Sequence, residues 1–255
     1  MIKNERQQQI LDFLNQTTYA SVDQLAEITY SSPPTIRRDL SYLAEQGYVI
    51  RNHGGVMLPQ APSAFIPTDF RRSFNSKHKK ALCKAASKLL KEHMLIFLNE
   101  STTTQFLIEY MKDIKGITVI TNSLLTANLL NQYNVNFYCT GGRITHSNCF
   151  TGNLTERFIR LFNADLFFFS SHAISSDGVI SDNSEPEYYA VTAMLEQSKK
   201  CVYLCDESKV NKKATYIVTD ARKLYKVYTT ALPECFNGIP DEKMVYVNVD
   251  KKNDN

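Results

Sequence analysis

The chain has 255 residues, enough for two domains or one large one, and 43% of them are hydrophobic, an ordinary fraction for a globular protein. Its net charge of +3 argues against binding of nucleic acid over the whole surface. The six cysteines have neither CxxC nor zinc-ligand spacing, so we expect reduced thiols and no metal site. The polar start and the lack of any run of about 18 apolar residues predict a cytoplasmic protein without a membrane span.

Two short amphipathic helices are predicted near the start of the chain. Residues 5–16 contain one apolar face, formed by Ile10, Leu11, Phe13 and Leu14. A second helix has an apolar face formed by Val22, Leu25, Ala26 and Ile28. Ser21 can cap this second helix, and residues 29–31 form a short turn before the next element.

A third helix follows this turn and has the clearest pattern of the three. Ser32 is a candidate N-cap, and Pro33 fits the first helical turn, where a missing N–H costs nothing. The residues at i, i+4 and i+7 are all apolar, namely Ile36, Leu40 and Leu43. Gly47 is suited to end the helix, and strand-like pieces follow at residues 48–51 and 56–58. This order is typical of a winged helix-turn-helix, although a three-helix bundle with surface arginines also fits the spacing.

The third helix and the pieces after it resemble a known family. TIRRDL at residues 35–40, then Leu43, Gly47 and RNHGG at residues 51–55, are similar to the DNA-binding end of the DeoR family of bacterial transcription regulators. The resemblance implies a recognition helix in the major groove of double-stranded operator DNA, with a wing beside it. We expect these residues to contact DNA: Ser32, Thr35, Arg37, Arg38, Tyr42, Arg51 and His53.

Neighbouring residues carry further expectations. Asp39 would repel DNA if it faced the groove, so we expect it to pair with a neighbouring arginine and orient it. Lys3 and Arg6 are candidate phosphate contacts. The family usually places Gly and then an apolar residue in the turn, where this chain has Tyr30 and Ser31. If the turn requires positive φ at Tyr30, the strain costs about 1 kcal/mol.

The proline-rich segment PQAPSAFIP at residues 59–67 predicts an extended linker. We therefore predict a winged helix-turn-helix domain at residues 1–58, a linker at 59–76 and a sensor and oligomerisation domain at 77–250. Residues 59–93 hold eight Lys and Arg against two acidic residues. These charges either add phosphate contacts or form a solvated lysine face on one helix.

Strands and helices alternate through the rest of the chain. Short apolar or β-branched runs predict strands at residues 94–98, 117–121, 136–140, 165–170, 201–205, 216–218, 227–229 and 244–249. Helices are predicted at residues 81–90, 103–111, 124–130, 154–162 and 187–197. Such alternation predicts an α/β domain with a mostly parallel sheet that is covered on both faces.

Polar loops follow several of these strands, and their order over residues 77–230 resembles the DeoR-family sensor domain. That domain is similar in fold to ribose-5-phosphate isomerase. The resemblance implies a homo-oligomer, dimeric or larger, and a phosphorylated sugar or related small molecule as effector. It implies effector contacts at Asn99, Ser101, Thr102, Thr103, Thr121, Asn122, Ser123, Gly141, Gly142 and Lys209.

One of these loops departs from the family pattern. The family usually has Asp-Ser-Gly before the threonine pair, whereas this chain has Asn99, Glu100 and Ser101. Loss of the glycine hinders close approach of the backbone to a phosphate, and Glu100 places a carboxylate where a dianion would sit. We therefore also expect a sensor that binds sugar phosphate weakly, prefers a less charged ligand or serves mainly in dimerisation.

An aldose phosphate isomerase is the alternative from another class of proteins. Isomerisation needs a carboxylate base and a cation, for which Glu187, Asp177, Asp182 and Lys209 are candidates. A winged helix has no evident use on a simple isomerase, and no nucleotide-binding motif is present. We therefore predict a transcription regulator, more specifically a repressor of carbohydrate-metabolism genes, with no catalytic residues and no cofactor.

Overall fold

The computed structural model describes residues 5–17, 19–52, 55–58, 68–145 and 147–249. The chain divides into two compact units, Met1–Phe74 and Asn75–Asn255, and each is described by itself. Within the described residues, every helix is too short or too polar to cross a lipid bilayer.

The amino-terminal unit contains helices and one small antiparallel sheet. Its elements are α1 Glu5–Thr17, β1 Tyr19–Ser21, α2 Val22–Ile28, α3 Pro33–Glu45, β2 Ile50–Asn52, β3 Gly55–Met57 and α4 Thr68–Ser73. The sheet has the order β1-β3-β2 and both of its pairings are antiparallel. The predicted three helices and hairpin are thus confirmed, while β1 is an addition, because three residues carry too little alternation to predict a strand.

The apolar stripes of the three helices meet in one core. Ile36, Leu40 and Leu43 of α3 are at most 1% exposed, as the spacing predicts. They pack in a cluster with the apolar residues of α1, α2 and the sheet, which include Ile10, Leu11, Leu14, Ala20, Leu25, Tyr48, Val49 and Val56. This core fixes α3 with its polar face outward, which is the condition for presenting it to a ligand.

The two predicted helix caps differ. Ser21 forms a capping box with Gln24, since its Oγ accepts from the Gln24 backbone N–H at 3.2 Å and its own N–H donates to Gln24 Oε1 at 2.9 Å. Ser32 is the N-cap of α3 but makes no side-chain bond to the backbone. Pro34 has no N–H to offer at the second helical position, and Ser32 Oγ pairs with the Thr35 side chain, at 2.9 Å from its Oγ1.

Helices α2 and α3 end with the same hydrogen-bond pattern. At the end of α3, the Gly47 N–H donates to Ala44 and the Tyr48 N–H to Leu43, with Gly47 at φ +74°. At the end of α2, the left-handed position is held by Tyr30, with φ +48° and a side chain that is 98% exposed. The turn therefore requires positive φ at a residue that is not glycine.

We expect Tyr30→Gly to raise the free energy of unfolding of the amino-terminal unit by about 1 kcal/mol, because glycine adopts this conformation without strain. Denaturant unfolding followed by circular dichroism measures this change. Asn134→Gly is a matched control, because Asn134 holds the same left-handed position after a helix of the unit Asn75–Asn255, with φ +54°. A Tyr30→Gly protein of equal or lower stability contradicts the strain argument.

The predicted linker contains a short helix after residue 67, in a part for which the sequence analysis predicts no conformation. Helix α4 spans Thr68–Ser73, where Arg71 Nη2 donates to Thr68 Oγ1 at 3.2 Å, and the next helix begins at Ser76. Prolines occur only before residue 68 in this segment, so nothing prevents helix formation after it. Residues 59–67 lie outside the described residues, and the predicted domain boundaries stay predictions.

The sensor unit, residues 75–255, alternates strands and helices as predicted. Its helices are α5 Ser76–Ala86, α6 Ile108–Met111, α7 Leu124–Gln132, α8 Asn153–Ile159 and α9 Glu185–Glu196. Its strands are β4 Leu95–Leu98, β5 Thr118–Thr121, β6 Asn136–Cys139, β7 Arg143–Ile144, β8 Phe150–Thr151, β9 Leu166–Phe169, β10 Ala173–Ile174, β11 Val179–Asp182, β12 Cys201–Cys205, β13 Tyr216–Asp220, β14 Lys226–Thr229 and β15 Met244–Tyr246. Much of the helix predicted at residues 103–111 is instead a 3-10 turn, Thr104–Leu107.

Seven of these strands form one sheet in the order β15-β14-β12-β9-β4-β5-β6, and every pair in it is parallel. Strand β13 belongs instead to a small antiparallel sheet with β10 and β11, and β7 pairs with β8 in a hairpin. Alternate strand residues enter two separate cores: Phe97 joins the cluster under α8 and α9, and Leu98 the cluster under α5, α6 and α7. The mostly parallel α/β sheet, covered on both faces, is confirmed.

The order of the sheet locates its crevice. After β4 the chain adds β5 and β6 on one side, and it then returns to place β9 on the other side of β4. Ligands of open α/β sheets bind outside the carboxyl ends of the strands at such a switch point. Here the loops that begin at Asn99 and Ser170 flank it.

Candidate nucleic-acid interface and effector site

Helix α3 presents two arginines to solvent. Arg37 and Arg38 are exposed, and neither has an ion-pair partner among the residues that the structure describes. The core stripe of α3 faces inward, so these guanidinium groups project from the opposite side of the helix. A rigid helix with unpaired arginines can bind phosphates and guanine edges.

The wing strand supplies a third arginine next to this helix. Arg51 Nη1 donates to Ser41 Oγ at 2.8 Å, and Ser41 Oγ donates to the Arg37 carbonyl oxygen at 2.9 Å. The Arg51 guanidinium therefore lies on the outer surface of α3, beside Arg37. The other wing residue predicted to contact DNA, His53, lies outside the described residues.

Asp39 is turned away from this surface. It is 6% exposed and accepts from Arg6 Nε at 2.5 Å and from Gln7 Nε2 at 2.9 Å. The predicted pairing with an arginine is thus present, but with an arginine of α1, thirty-three residues away. Arg6 is consequently engaged inside the unit, which differs from the phosphate contact expected for it. The pair ties α1 to α3 and fixes the angle between these two helices. Lys3 lies outside the described residues.

The remaining predicted DNA contacts border the arginine face of α3. Ser32 is exposed, whereas Thr35 and Tyr42 are half-buried. Ser32 and Thr35 bond to each other at 2.9 Å. Together with Arg37, Arg38 and Arg51 they give the unit a surface of hydroxyl and guanidinium donors.

In the sensor unit, two buried asparagines lie side by side at the strand ends, one after β4, which borders the switch point, and one after its neighbour β5. Leu98 pairs with Thr121 across the parallel ladder, so Asn99 and Asn122 are the next residues of β4 and β5. Asn99 Nδ2 donates to the Ser170 carbonyl oxygen at 2.9 Å, and Asn122 Nδ2 donates to the Phe150 carbonyl oxygen at 3.3 Å. Both side chains are fully buried.

Two lysines reach the same strand ends. Lys209 Nζ donates to Ser170 Oγ at 3.0 Å and to the Ser171 carbonyl oxygen at 2.6 Å. Lys79 of α5 is 3% exposed, and its Nζ donates to Thr102 Oγ1 at 3.1 Å. Lys79 is absent from the predicted site. Its spacing of three, four and seven residues from the buried Leu82, Cys83 and Ala86 is the signal that places it on the inner face of α5.

Two buried carboxylates lie near these lysines. Burial by itself would raise the pKa of Asp206, but the charges of Lys209 and Lys79 and hydrogen bonds from Ser208 and Asn75 hold that pKa below its ordinary value. Burial likewise opposes ionisation of Asp182, yet the hydrogen bond and charge of His172, at 2.8 Å, lower its pKa. Both groups are therefore ionised at neutral pH. We call Asn99, Glu100, Asn122, Asp206, Lys79 and Lys209 the strand-end cluster.

Other predicted effector residues have local structural roles. Ser123 Oγ accepts from the Thr126 N–H at 3.2 Å and caps α7, and Thr121 Oγ1 accepts from the Ser123 N–H at 3.1 Å. Gly142 has φ +134°, and a Cβ there would lie 2.7 Å from the Thr151 carbonyl oxygen. A Cβ at Gly141 would meet nothing within 4 Å, so this backbone borders open space. Ser101 Oγ accepts from the Thr103 N–H at 3.1 Å.

The carboxylates considered for isomerase chemistry are each engaged separately. Ser147 Oγ donates to Glu187 Oε1, and Ser175 Oγ donates to Asp177 Oδ1. Asp182 is bonded to His172. The charge of Lys209 also helps to lower the pKa of Asp182.

Comparison with known proteins shows what kind of molecule has this pair of units. A family model described as the DeoR-like helix-turn-helix domain matches residues 6–61, and one described as the DeoR C terminal sensor domain matches residues 74–231. The chain belongs to the DeoR family of transcription regulators. The expected resemblance is thus confirmed, and the amino-terminal unit contains the helix-turn-helix domain of a DNA-binding regulator.

Curated relatives of this DeoR-family regulator match over nearly their whole length. The L-fucose operon activator of Haemophilus influenzae is 32% identical over 91% of this chain and 94% of that protein. The glycerol-3-phosphate regulon repressor of Escherichia coli is 27% identical over 91% of this chain and 93% of that protein.

Among solved structures, ribose 5-phosphate isomerase A of Methanocaldococcus jannaschii matches with a TM-score of 0.41 and 20% identity. The match covers 54% of this chain and only 56% of that one. A likeness of this extent bears on neither the activity nor the ligand of the DeoR-family regulator.

Proposed function

We propose that this regulator is a cytoplasmic homo-oligomeric repressor of carbohydrate-metabolism genes, whose affinity for operator DNA is set by a small-molecule effector bound at the strand-end cluster. The observation that carries the proposal is the combination of an unpaired arginine surface in one unit with buried, unpartnered polar groups at the sheet switch point of the other. A surface of the first kind binds DNA, and a site of the second kind binds a polar metabolite.

For the DNA contacts, we propose that Arg37, Arg38 and Arg51 act as one surface. Ser41 links the wing arginine to the recognition helix, so the three guanidinium groups contact the DNA together, Arg38 at a base edge and Arg37 and Arg51 at phosphates. Ser32, Thr35 and Tyr42 supply further contacts at the edges of that surface, and His53 of the wing binds phosphate or the minor groove. The Arg6–Asp39 pair holds the helix at the angle that this contact needs.

For the effector, we propose contacts from Asn99 and Asn122, from the neighbouring Ser101, Thr102 and Thr103, and from Lys209. Lys79 joins this set because it donates to Thr102 from inside the unit. Ligand binding would change the spacing of the two winged helices in the oligomer, and hence the half-sites that it can occupy. The separate engagement of Glu187, Asp177 and Asp182 supports a binding site rather than an isomerase.

The test is a footprint of the purified full chain across fragments of its source genome, at about 50 mM salt, where phosphate contacts are strong. We expect protection of specific sites related by two-fold symmetry, and release of those sites by one class of sugar-derived metabolite. A reporter gene placed under a protected site would be repressed when this metabolite is absent. No preferential protection anywhere would overturn the proposal, and protection unaffected by every metabolite would overturn its effector part.

A further inference from the structure

The unpartnered atoms of the strand-end cluster point to the chemistry of its ligand. Among the described residues, Asn99 Oδ1, Asn122 Oδ1 and Asp206 Oδ2 are buried without a hydrogen-bond partner. The orientation of both amides is fixed, because each Nδ2 already donates to a backbone carbonyl oxygen. Their oxygens can therefore only accept, and the ionised Asp206 can only accept as well. Buried acceptors of this kind require a donor from elsewhere.

The charges at these strand ends disfavour an anion. Glu100, Asp206 and Asp182 are buried carboxylates, 6%, 0% and 6% exposed. The cations are Lys79 and Lys209, and both already donate to Thr102 or to Ser170 and Ser171. A phosphate dianion brings only acceptors and two further negative charges, so it cannot satisfy Asn99 Oδ1, Asn122 Oδ1 or Asp206 Oδ2 and is repelled by the carboxylates.

We propose that the effector is a polyhydroxylated molecule without a phosphate group, either a neutral polyol or an amino sugar. Its hydroxyl or ammonium donors pair with Asn99 Oδ1 and Asn122 Oδ1, and Glu100 excludes the phosphorylated form. This inference rests on the proposed effector control at the strand-end cluster. Because Asn99 and Asn122 have no exposed surface, a ligand must displace the segments that cover them, which couples its binding to a conformational change.

Calorimetric titration of the full chain with matched pairs of ligands tests the proposal. The probes are hexoses, hexitols and hexosamines, each beside its 6-phosphate. We expect at least one unphosphorylated compound to bind about tenfold or more tightly than its phosphate ester. Tighter binding of the ester overturns this inference and leaves the proposed effector control intact. Binding of none, by a protein that footprints operator DNA, overturns the effector control itself.

Two substitutions locate the effect within the cluster. Glu100→Gln removes the charge at constant shape, so we expect the preference against the phosphate esters to shrink about tenfold, while the exposed Glu109→Gln leaves it unchanged. Asn122→Ala should abolish binding of the unphosphorylated ligand, whereas Asn131→Ala on the exposed side of α7 should not. Thermal unfolding checks that each variant is folded. Unchanged ligand preference in a folded Glu100→Gln protein contradicts the role given to that carboxylate.

Discussion

Asp206→Ala is expected to lower the free energy of unfolding of the sensor unit by about 3 kcal/mol. Asp206 is fully buried, and its Oδ1 accepts from Asn75 Nδ2 at 3.0 Å and from the Ser208 N–H at 3.1 Å. It also offsets the charges of Lys79 and Lys209, which lower its pKa. Its removal therefore deletes several charge-assisted hydrogen bonds and leaves two cations without this counter-charge. Urea unfolding followed by circular dichroism measures the change.

The control for this variant is Glu196→Ala. Glu196 pairs with Arg160 at 2.5 Å, but both side chains are about half exposed. Solvent screens such a pair, so its loss should cost less than about 1 kcal/mol. Equal destabilisation by the two variants would show that burial of Asp206 contributes nothing to its effect.

The pH dependence of stability provides a second test of the role of Asp206. The native pKa of Asp206 lies below its ordinary value, so its stabilising contribution is fully present above the unfolded pKa of about 3.9 and is lost as the pH falls through the native pKa. The wild-type protein should therefore lose stability below about pH 4. Asp206→Asn lacks the part of this loss that is due to Asp206, so the stability difference between the two proteins should narrow as the pH falls from 6 towards about 3. A difference that stays constant over this range contradicts an ionised Asp206.

The sequence predicts those parts of the structure that depend on local pattern. The inward stripe of α3 follows from Ile36, Leu40 and Leu43 alone, because helical spacing and apolar character coincide there. The positive φ at Tyr30 follows in the same way from the family pattern, which has glycine in this turn. The positions of Asn99 and Asn122 at adjacent strand ends follow from the alternation of strands and helices.

A local sequence pattern does not predict contacts between residues that are far apart in the sequence. Arg6 and Asp39 are thirty-three residues apart, and nothing in either neighbourhood indicates that Arg6 turns inward. Lys79 lies in a run of lysines, and such a run predicts a solvent-exposed face. Its spacing from Leu82 and Ala86, however, is that of a buried position. In both cases a charged side chain is held by a partner on another segment, which a local pattern does not reveal.

Arg38→Ala is expected to weaken binding to the specific operator by about 1–3 kcal/mol, while binding to random DNA changes little. An α-helix turns by about 100° per residue, so with Ile36 at 0° around the axis of α3, Arg38 lies at about 200° and Leu40 at about 40°. Arg38 therefore points away from the core. Arg37 lies to one side, where Arg51 and Ser41 adjoin it. Arg38 is therefore placed for a bidentate contact with a guanine, and Arg37 and Arg51 are placed for contacts with phosphates.

Mobility-shift titrations on the footprinted operator and on random DNA, each at several salt concentrations, separate these roles. Loss of a phosphate contact lowers affinity for both DNAs and reduces the salt slope by about 1, whereas loss of a base contact removes the difference between the two DNAs. Arg157→Ala removes the same charge from an exposed position on α8 of the sensor unit, so it measures the effect of net charge alone. If Arg38→Ala lowers the affinity equally for both DNAs, Arg38 contacts the DNA phosphates rather than a base. Base recognition would then be assigned to Arg37, because no other exposed arginine lies on α3.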